Sequence, residues 1–390
     1  MEMSFFDQVV DRKGTNSSKW DGLKNVFGIE DAIPMWVADM DFKSPPEVIE
    51  AIKQRADHGM FGYTVVDSEY YDLVAQWMNK RHKWEVKPDW VVTSPGTISA
   101  LSVIIRTFTN ANDTIVIQPP VYPPFERSIL LAGRKVAYNN LILENNRYRM
   151  DYSGLEKLLN KGAKMFILCS PHNPVGRVWA EDELLELASV LSKHEDVFVF
   201  DDELWADFTY APNEHHPLLQ VAPHLVKRTI TATSASKTFN LAGLENTNLI
   251  IPDENIKSKF NDAMFSLALS KTNLFAIVAT KAAYKYGEGW VDQLLQYLHE
   301  NFEFMKDFLK SRIPSLELVE PEGTYLAWVN ASHLGISSSK VADKLLRIGH
   351  VAVEDGSTFG PGGEGFLRVN YAMPRSLLEQ ALNGFQKALT

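Results

Sequence analysis

Between about residue 90 and about residue 252, short runs of β-branched and apolar residues alternate with stretches of helical periodicity, a pattern few architectures accommodate. The runs are Trp90-Val91-Val92-Thr93, Thr114-Ile115-Val116-Ile117, Met165 to Cys169, Val197-Phe198-Val199-Phe200, Thr229-Ile230-Thr231-Ala232 and Asn248-Leu249-Ile250-Ile251. Strands that alternate with helices pair in a mostly parallel sheet with helices on both faces. The clearest helix runs from Glu181 to Lys193: Leu184, Leu187, Ala188 and Leu191 share one face, acids crowd the first turn and Lys193 sits in the last. The expected class is α/β.

After Lys271 the texture changes. A long amphipathic helix is expected over Trp290 to Arg312, stopped at Ile313-Pro314. Strands follow at Leu316–Val319, Tyr325–Val329, His350–Val353 and Phe366–Val369, with helices over Ser338 to Arg347 and Arg375 to Leu389. This segregation implies a smaller α+β domain, and the proline-rich start, Ile33-Pro34-Met35-Trp36 through Ser44-Pro45-Pro46, is expected to pack against it. The expected division is a large domain over 47–286 and a small one from 1–46 and 287–390.

With 390 residues, 45% of them hydrophobic, the chain is long enough for a large core in two unequal domains. A formal charge of −10 repels a phosphate backbone, so nucleic acid is not an expected partner. No stretch reads as a membrane span, and Met1 to Lys13 does not read as a signal peptide. The single cysteine, Cys169, reads as a buried strand residue rather than a nucleophile, and the reducing cytoplasm fits it. The adjacent His215 and His216 diverge and have no ligand spacing around them, so no metal site is expected.

Chemistry is concentrated at a few motifs. Lys237 lies in Ser234-Ala235-Ser236-Lys237-Thr238 after a strand. Alone it also fits a solvated loop, but a lysine buried beside an electron-withdrawing group loses its proton readily enough to form an imine. Ser234 and Ser236 offer hydroxyl donors beside it. Ser94-Pro95-Gly96-Thr97-Ile98 joins a strand to a helix beginning near Thr97, so free N–H groups and the positive helix end face the loop, as an anion requires; an ordinary tight turn needs Gly96 as much. Asp202 stands at the end of an interior strand, where open α/β sheets gather ligands, while Asp201 fits an N-cap or surface acid.

Asn173-Pro174-Val175-Gly176 holds an amide side chain in a defined direction, or is a plain turn. Tyr122, among prolines, offers a ring to stack on a flat heterocycle or to staple the next helix. Arg368, within a short β run, needs an anion; a substrate carboxylate would serve, as would a surface salt bridge. Taken together, the amine, the phosphate cradle, the carboxylate and the amide describe a pocket for pyridoxal 5′-phosphate.

The order glycine loop, tyrosine, Asn-Pro-x-Gly, aspartate, Ser-x-Ser-Lys and arginine resembles the fold-type I pyridoxal phosphate enzymes of the aspartate aminotransferase superfamily over nearly the whole chain. The strings Pro34 to Phe42, Phe61-Gly62-Tyr63, Ser236 to Leu244 and Pro321-Glu322-Gly323-Thr324-Tyr325 are similar to the MalY/PatB group of cystathionine β-lyases, or C–S lyases.

The resemblance implies a sheet of the seven-stranded type and a homodimer with shared active sites. It makes Lys237 the lysine bound to the coenzyme, Asp202 the partner of its ring nitrogen, Asn173 the donor to its phenolate oxygen and Tyr122 the stacking ring. Gly96, Thr97, Ile98, Ser234 and Ser236 would hold the phosphate, with Tyr63 reaching across from a second subunit. Arg368, beside Asn173, would take the carboxylate of an amino-acid substrate. Lys237, Tyr122 and Asp202 form the expected catalytic set.

Two positions depart from the pattern. Glu245 stands where many aminotransferases carry a phosphate-binding arginine, which favours the lyase branch. Trp205 replaces a histidine usual in the lyases. The expected reaction is β-elimination of a thiolate from L-cystathionine or a related cysteine thioether, giving pyruvate and ammonia. An aminotransferase shares every coenzyme contact, and a regulatory or binding protein on the same scaffold is a further alternative.

Overall fold

The computed structural model describes residues 5–390. Its centre is a seven-stranded sheet in the order Val91–Ser94, Thr247–Ile250, Thr229–Thr233, Phe198–Asp202, Met165–Cys169, Thr114–Ile117, Lys135–Tyr138. Thr247–Ile250 runs antiparallel to both neighbours and the other adjacent pairs are parallel, as the α/β expectation requires. The central strands are buried along their whole length, which explains why they read as continuous apolar runs. Helices Thr97–Phe108, Pro124–Leu131 and Glu254–Ser266 cover one face. Ser68–His82, Tyr152–Asn160 and Glu181–Ser192 cover the other.

A second, four-stranded antiparallel sheet contains Glu317–Val319, Leu326–Asn330, Phe366–Asn370 and the edge strand Glu354–Asp355. Helices Glu288–Arg312, Ser338–Arg347 and Arg375–Leu389 pack with it through Val291, Leu298, Val341, Leu345, Leu378 and Leu382. The proline-rich start joins this core: Ile33–Pro34 pairs in parallel with Val351–Ala352, and Met35, Met40 and Phe42 are buried there.

Three strands between residues 135 and 149 had no sequence reading. Lys135–Tyr138 is an edge strand with exposed ends, and Ile142–Glu144 with Arg147–Arg149 forms a mostly exposed hairpin. Neither presents the apolar run by which buried strands are recognised. The strand expected over His350–Val353 is shorter, Val351–Ala352, and pairs with the N-terminal segment, while a separate strand just beyond it, Glu354–Asp355, pairs with Phe366–Asn370. Among the described residues no helix is long and apolar enough to cross a membrane.

Candidate active site

A cleft of about 650 Å³ opens at the C-terminal ends of the Met165–Cys169 and Phe198–Asp202 strands, the edge at which sheets of this kind gather ligands. Gly96, Thr97, Ile98, Tyr122, Asn173, Asp202, Ser236, Lys237 and Arg368 all line it. Residues more than 270 positions apart are thus brought together by one edge of the seven-stranded sheet and by the four-stranded sheet that carries Arg368.

Lys237 sits on the short helix Ala235–Thr238, which follows the strand Thr229–Thr233 directly and is capped by Ser234. Its Nζ donates to the carbonyl oxygen of Ala38 at 2.8 Å and lies 5.4 Å from the centre of the Trp205 ring. Burial, aided by the Arg368 cation, pulls its ammonium from 10.5 to about 8, against the opposing pull of Asp39 and Asp202. A share of this amine is therefore neutral near physiological pH.

Asp202 is the last residue of its strand and is buried. Oδ1 accepts from the backbone N–H of Leu204 at 3.2 Å. Burial pushes its carboxyl up to about 7, because one backbone donor and the more distant Lys237 do not replace lost hydration. A cation brought against this carboxylate would hold it ionised. Asp201 differs from expectation: neither a cap nor a surface acid, it is fully buried on the opposite face of the strand, where Thr231 Oγ1 donates to Oδ2 at 3.2 Å.

The loop after Val91–Ser94 turns at Gly96, whose φ of 83° favours glycine, into helix Thr97–Phe108. The first helical acceptor, Gly96 O, is taken by Ala100 N, so the N–H groups of Thr97, Ile98 and Ser99 lack helical partners and face the cleft. Thr97 Oγ1 is tied to Thr247 Oγ1 at 2.8 Å, fixing this end of the cradle. Ser236 joins it from the lysine's helix.

Asn173 and Arg368 meet opposite the cradle: Arg368 Nη1 donates to Asn173 Oδ1 at 3.2 Å. The Asn173 Nδ2 makes no hydrogen bond among the described residues and is free for a ligand. Tyr122 is half-buried on the cleft wall with its ring edge-to-face against Phe125, 5.5 Å between centroids, and burial raises its phenol.

Two of the expected site residues stand elsewhere. Ser234 is not on the cleft wall; its hydroxyl donates to Asn246 O at 2.6 Å and accepts from Ser236 N at 3.0 Å, which orients Ser236 from behind. Tyr63 projects fully into solvent from the loop between helices Pro46–Asp57 and Ser68–His82, outside the cleft of its own chain.

The structure also places on the cleft residues to which the sequence reading gave no role there. Trp36, Val37 and Ala38 form a roof. Asn370 Nδ2 holds it by donating to Val37 O and Asp39 O, both at 2.6 Å, and Asn240 Nδ2 donates to Met40 O at 2.9 Å. Arg12 and the fully buried Lys19 pair with Asp41 at 2.7 Å each. The buried Trp205 packs edge-on against Tyr325, 4.7 Å away, and walls the lysine. Glu245 lines the cleft beside Thr97 and Thr247, and Glu354 lines it beside Arg368. Cys169 also reaches the cleft wall, but burial and the neighbouring Asp202 push its thiol well up, which leaves it a poor nucleophile.

Behind Lys237, buried Asp207 gathers three donors: Thr238 Oγ1 at 2.6 Å, Trp77 Nε1 at 3.1 Å and His82 Nε2 at 3.0 Å. His215 turns inward against Glu203, 3.1 Å away.

The family model described as aminotransferase class I and II matches residues 30–385. Cystathionine beta-lyase PatB of Bacillus subtilis (strain 168) is 39% identical over 386 residues, covering 99% of this chain and 100% of its own. The crystal structure of cystalysin from Treponema denticola, which contains a pyridoxal 5′-phosphate cofactor, aligns with a TM-score of 0.95 at 33% identity over 98% of each chain. The PLP-bound C–S lyase from Staphylococcus hominis aligns at 0.92 and 33% identity, over 99% of this chain and 98% of that one.

Proposed function

The chain belongs to the aminotransferase class I and II family, and on that footing we propose that it is a pyridoxal 5′-phosphate-dependent carbon–sulfur β-lyase of the cystathionine β-lyase type. The observation that carries the reading is the convergence on one cleft of Lys237, Asp202, Asn173, Arg368 and the unpaired N–H groups of Thr97 and Ile98. A buried carboxylate without a cationic partner of its own fits a pyridinium nitrogen, and an open helix N-terminus fits a phosphate.

In this reading Gly96, Thr97, Ile98 and Ser236 hold the phosphate, with Ser234 bracing Ser236. Asp202 would partner the ring nitrogen, Asn173 would donate to the phenolate oxygen, Tyr122 would stack on the ring and Lys237 would hold the aldehyde. The coenzyme, when bound, supplies an electron sink for charge left at the substrate Cα. Arg368 binds the substrate α-carboxylate and so fixes the Cα hydrogen relative to Lys237. Lys237, its basicity brought close to physiological pH, takes the proton from Cα as general base. The thiolate then leaves from Cβ. Trp205, Tyr325 and the roof keep bulk water from that carbon. The overall change is cysteine thioether plus water to thiol, pyruvate and ammonia.

Tyr63, Met60, Phe61 and Val65 are exposed apolar residues on one loop, and Phe265 and Leu267 lie exposed as well. Such surface invites a partner. The functional unit proposed here is a homodimer in which Tyr63 enters the phosphate end of the partner's cleft.

Incubation of the purified protein with L-cystathionine and no 2-oxo acid tests the function. Pyruvate and free thiol in equal amounts are expected, and their absence, with amino groups passing to an added 2-oxo acid instead, would make it an aminotransferase.

A further inference from the structure

Arg368 is the residue to which the function above assigns the substrate carboxylate, yet its guanidinium is already engaged. Nη2 donates to Trp36 O at 2.7 Å and to Glu354 Oε2 at 2.5 Å, and Nη1 donates to Asn173 Oδ1 at 3.2 Å. Nε is buried with no partner. A guanidinium grips a carboxylate with two parallel hydrogen bonds on either of two edges, Nη1–Nη2 or Nε–Nη2. Both edges use a hydrogen of Nη2, and both hydrogens are committed. Trp36 O is main chain, held in the roof beside Val37 and Asp39, so the hydrogen that can be released is the one Glu354 holds.

The fold puts Glu354 there by register. It lies opposite Arg368 in the antiparallel pair of strands Glu354–Asp355 and Phe366–Asn370, so the two side chains leave the same face of the sheet. Their surroundings are unequal. The Arg368 side chain is 5% exposed and lies 4.9 Å from the centre of the Phe359 ring, whereas Glu354 is 28% exposed on an edge strand and lines the cleft. The glutamate can therefore regain water by turning toward the cleft, while the arginine stays fixed.

Resting on the proposed function, we propose that Glu354 is a binding-site residue that occupies the substrate carboxylate's seat on Arg368 and is exchanged for it on binding. An amino acid brings the anion that Glu354 gives up, and the guanidinium remains paired throughout. An amine lacking a carboxylate cannot displace Glu354, and a buried guanidinium that lost it would be left partly unpaired. The exchange lowers the affinity for an amino acid, while a simple amine, which leaves Glu354 in place, neither gains nor loses by it.

The test uses the holoenzyme, calorimetry and two matched probes: α-methylalanine, which has no Cα hydrogen and stops before turnover, and isopropylamine, the same molecule without its carboxylate. Glu354→Gln keeps an oxygen to accept from Nη2 and removes the competing charge. The variant is expected to bind α-methylalanine roughly three- to thirtyfold more tightly, the order of the difference between a charge-assisted and a neutral competing hydrogen bond, with isopropylamine binding unchanged. Weaker or unaltered α-methylalanine binding, or an equal change for both probes, would overturn the exchange. A protein that takes up no coenzyme would refute the function instead. Acetate titrated into that apoprotein would still read the exchange, as tighter binding in Glu354→Gln or as none.

Discussion

The ammonium of Lys237 donates to the main-chain oxygen of Ala38 across 2.8 Å, joining the end of a central strand to the N-terminal roof. With Trp205 alongside, this is the lysine's only direct hydrogen bond among the described residues, and its proton is held loosely because burial and the Arg368 cation disfavour the charge.

The titration has a sign. Folded Lys237 has its ammonium lowered to about 8 from 10.5, so between those values the native apoprotein binds fewer protons than the unfolded chain and stability from this group rises with pH. Below about 8 the cost of enclosing the charge is present in full. Lys237→Met apoprotein is expected to be more stable than the parent at pH 7 by up to about 3 kcal/mol, the excess shrinking as pH rises toward 10. Urea unfolding at pH 7 and pH 9.5 reads it; a pH-independent difference contradicts the account.

Asp202→Asn should fold, since its burial no longer encloses an acid, yet lose catalysis. A neutral amide cannot hold the coenzyme ring protonated, and kcat/KM for thiol release is expected to fall at least about a hundredfold. Coenzyme content measured alongside separates lost chemistry from lost binding.

Asp207 ties Thr238, one residue beyond Lys237, to Trp77 and His82. Asp207→Ala leaves three buried donors unsatisfied and is expected to lower unfolding free energy by about 3 kcal/mol, while Asp207→Asn, which keeps an acceptor, loses clearly less. Equal losses in denaturant titrations would show that packing, and not the hydrogen bonds, holds the lysine's helix.

Glu245 sets a negative charge on the cleft wall beside the Thr97 cradle. Glu245→Gln is expected to tighten coenzyme binding roughly two- to fivefold, because a dianionic phosphate no longer faces it through partly solvated space. Fluorescence titration of the apoprotein gives the ratio directly.

The proposed sharing of sites makes a complementation possible. Lys237→Ala and Tyr63→Ala homodimers are each expected to be impaired. Hybrids formed by mixing them contain one site with the Lys237 of one subunit and the Tyr63 of the other, so lyase activity should rise above that of either parent. No gain, despite exchange shown by mass, would place Tyr63 outside the site.

The central strands were legible because burial on both faces writes itself as unbroken apolar runs, as in Met165–Cys169. Lys237, Asp202 and Asn173 were legible because each follows such a strand within a few residues, where position along the chain and position in the fold coincide. The roof was not. Trp36 and Ala38 reach the cleft only through contacts with Arg368 and Lys237, some two to three hundred residues away, and nothing local marks a carbonyl oxygen as a lysine's partner. Glu354 was hidden for a related reason: its meaning comes from a strand register that pairs it with Arg368. Ser234 shows the opposite failing, a motif residue whose hydroxyl serves the turn that carries its neighbour.

The roof has a consequence for the order of biosynthesis. Residues 36–38 are made more than three hundred positions before the groups that anchor them, Arg368 and Asn370. A growing chain can assemble its central sheet well before the cleft has a ceiling, so catalytic competence waits for residues made after the sheet is complete, and removal of residues 36–38 or of 366–370 should silence the enzyme without dismantling the sheet between.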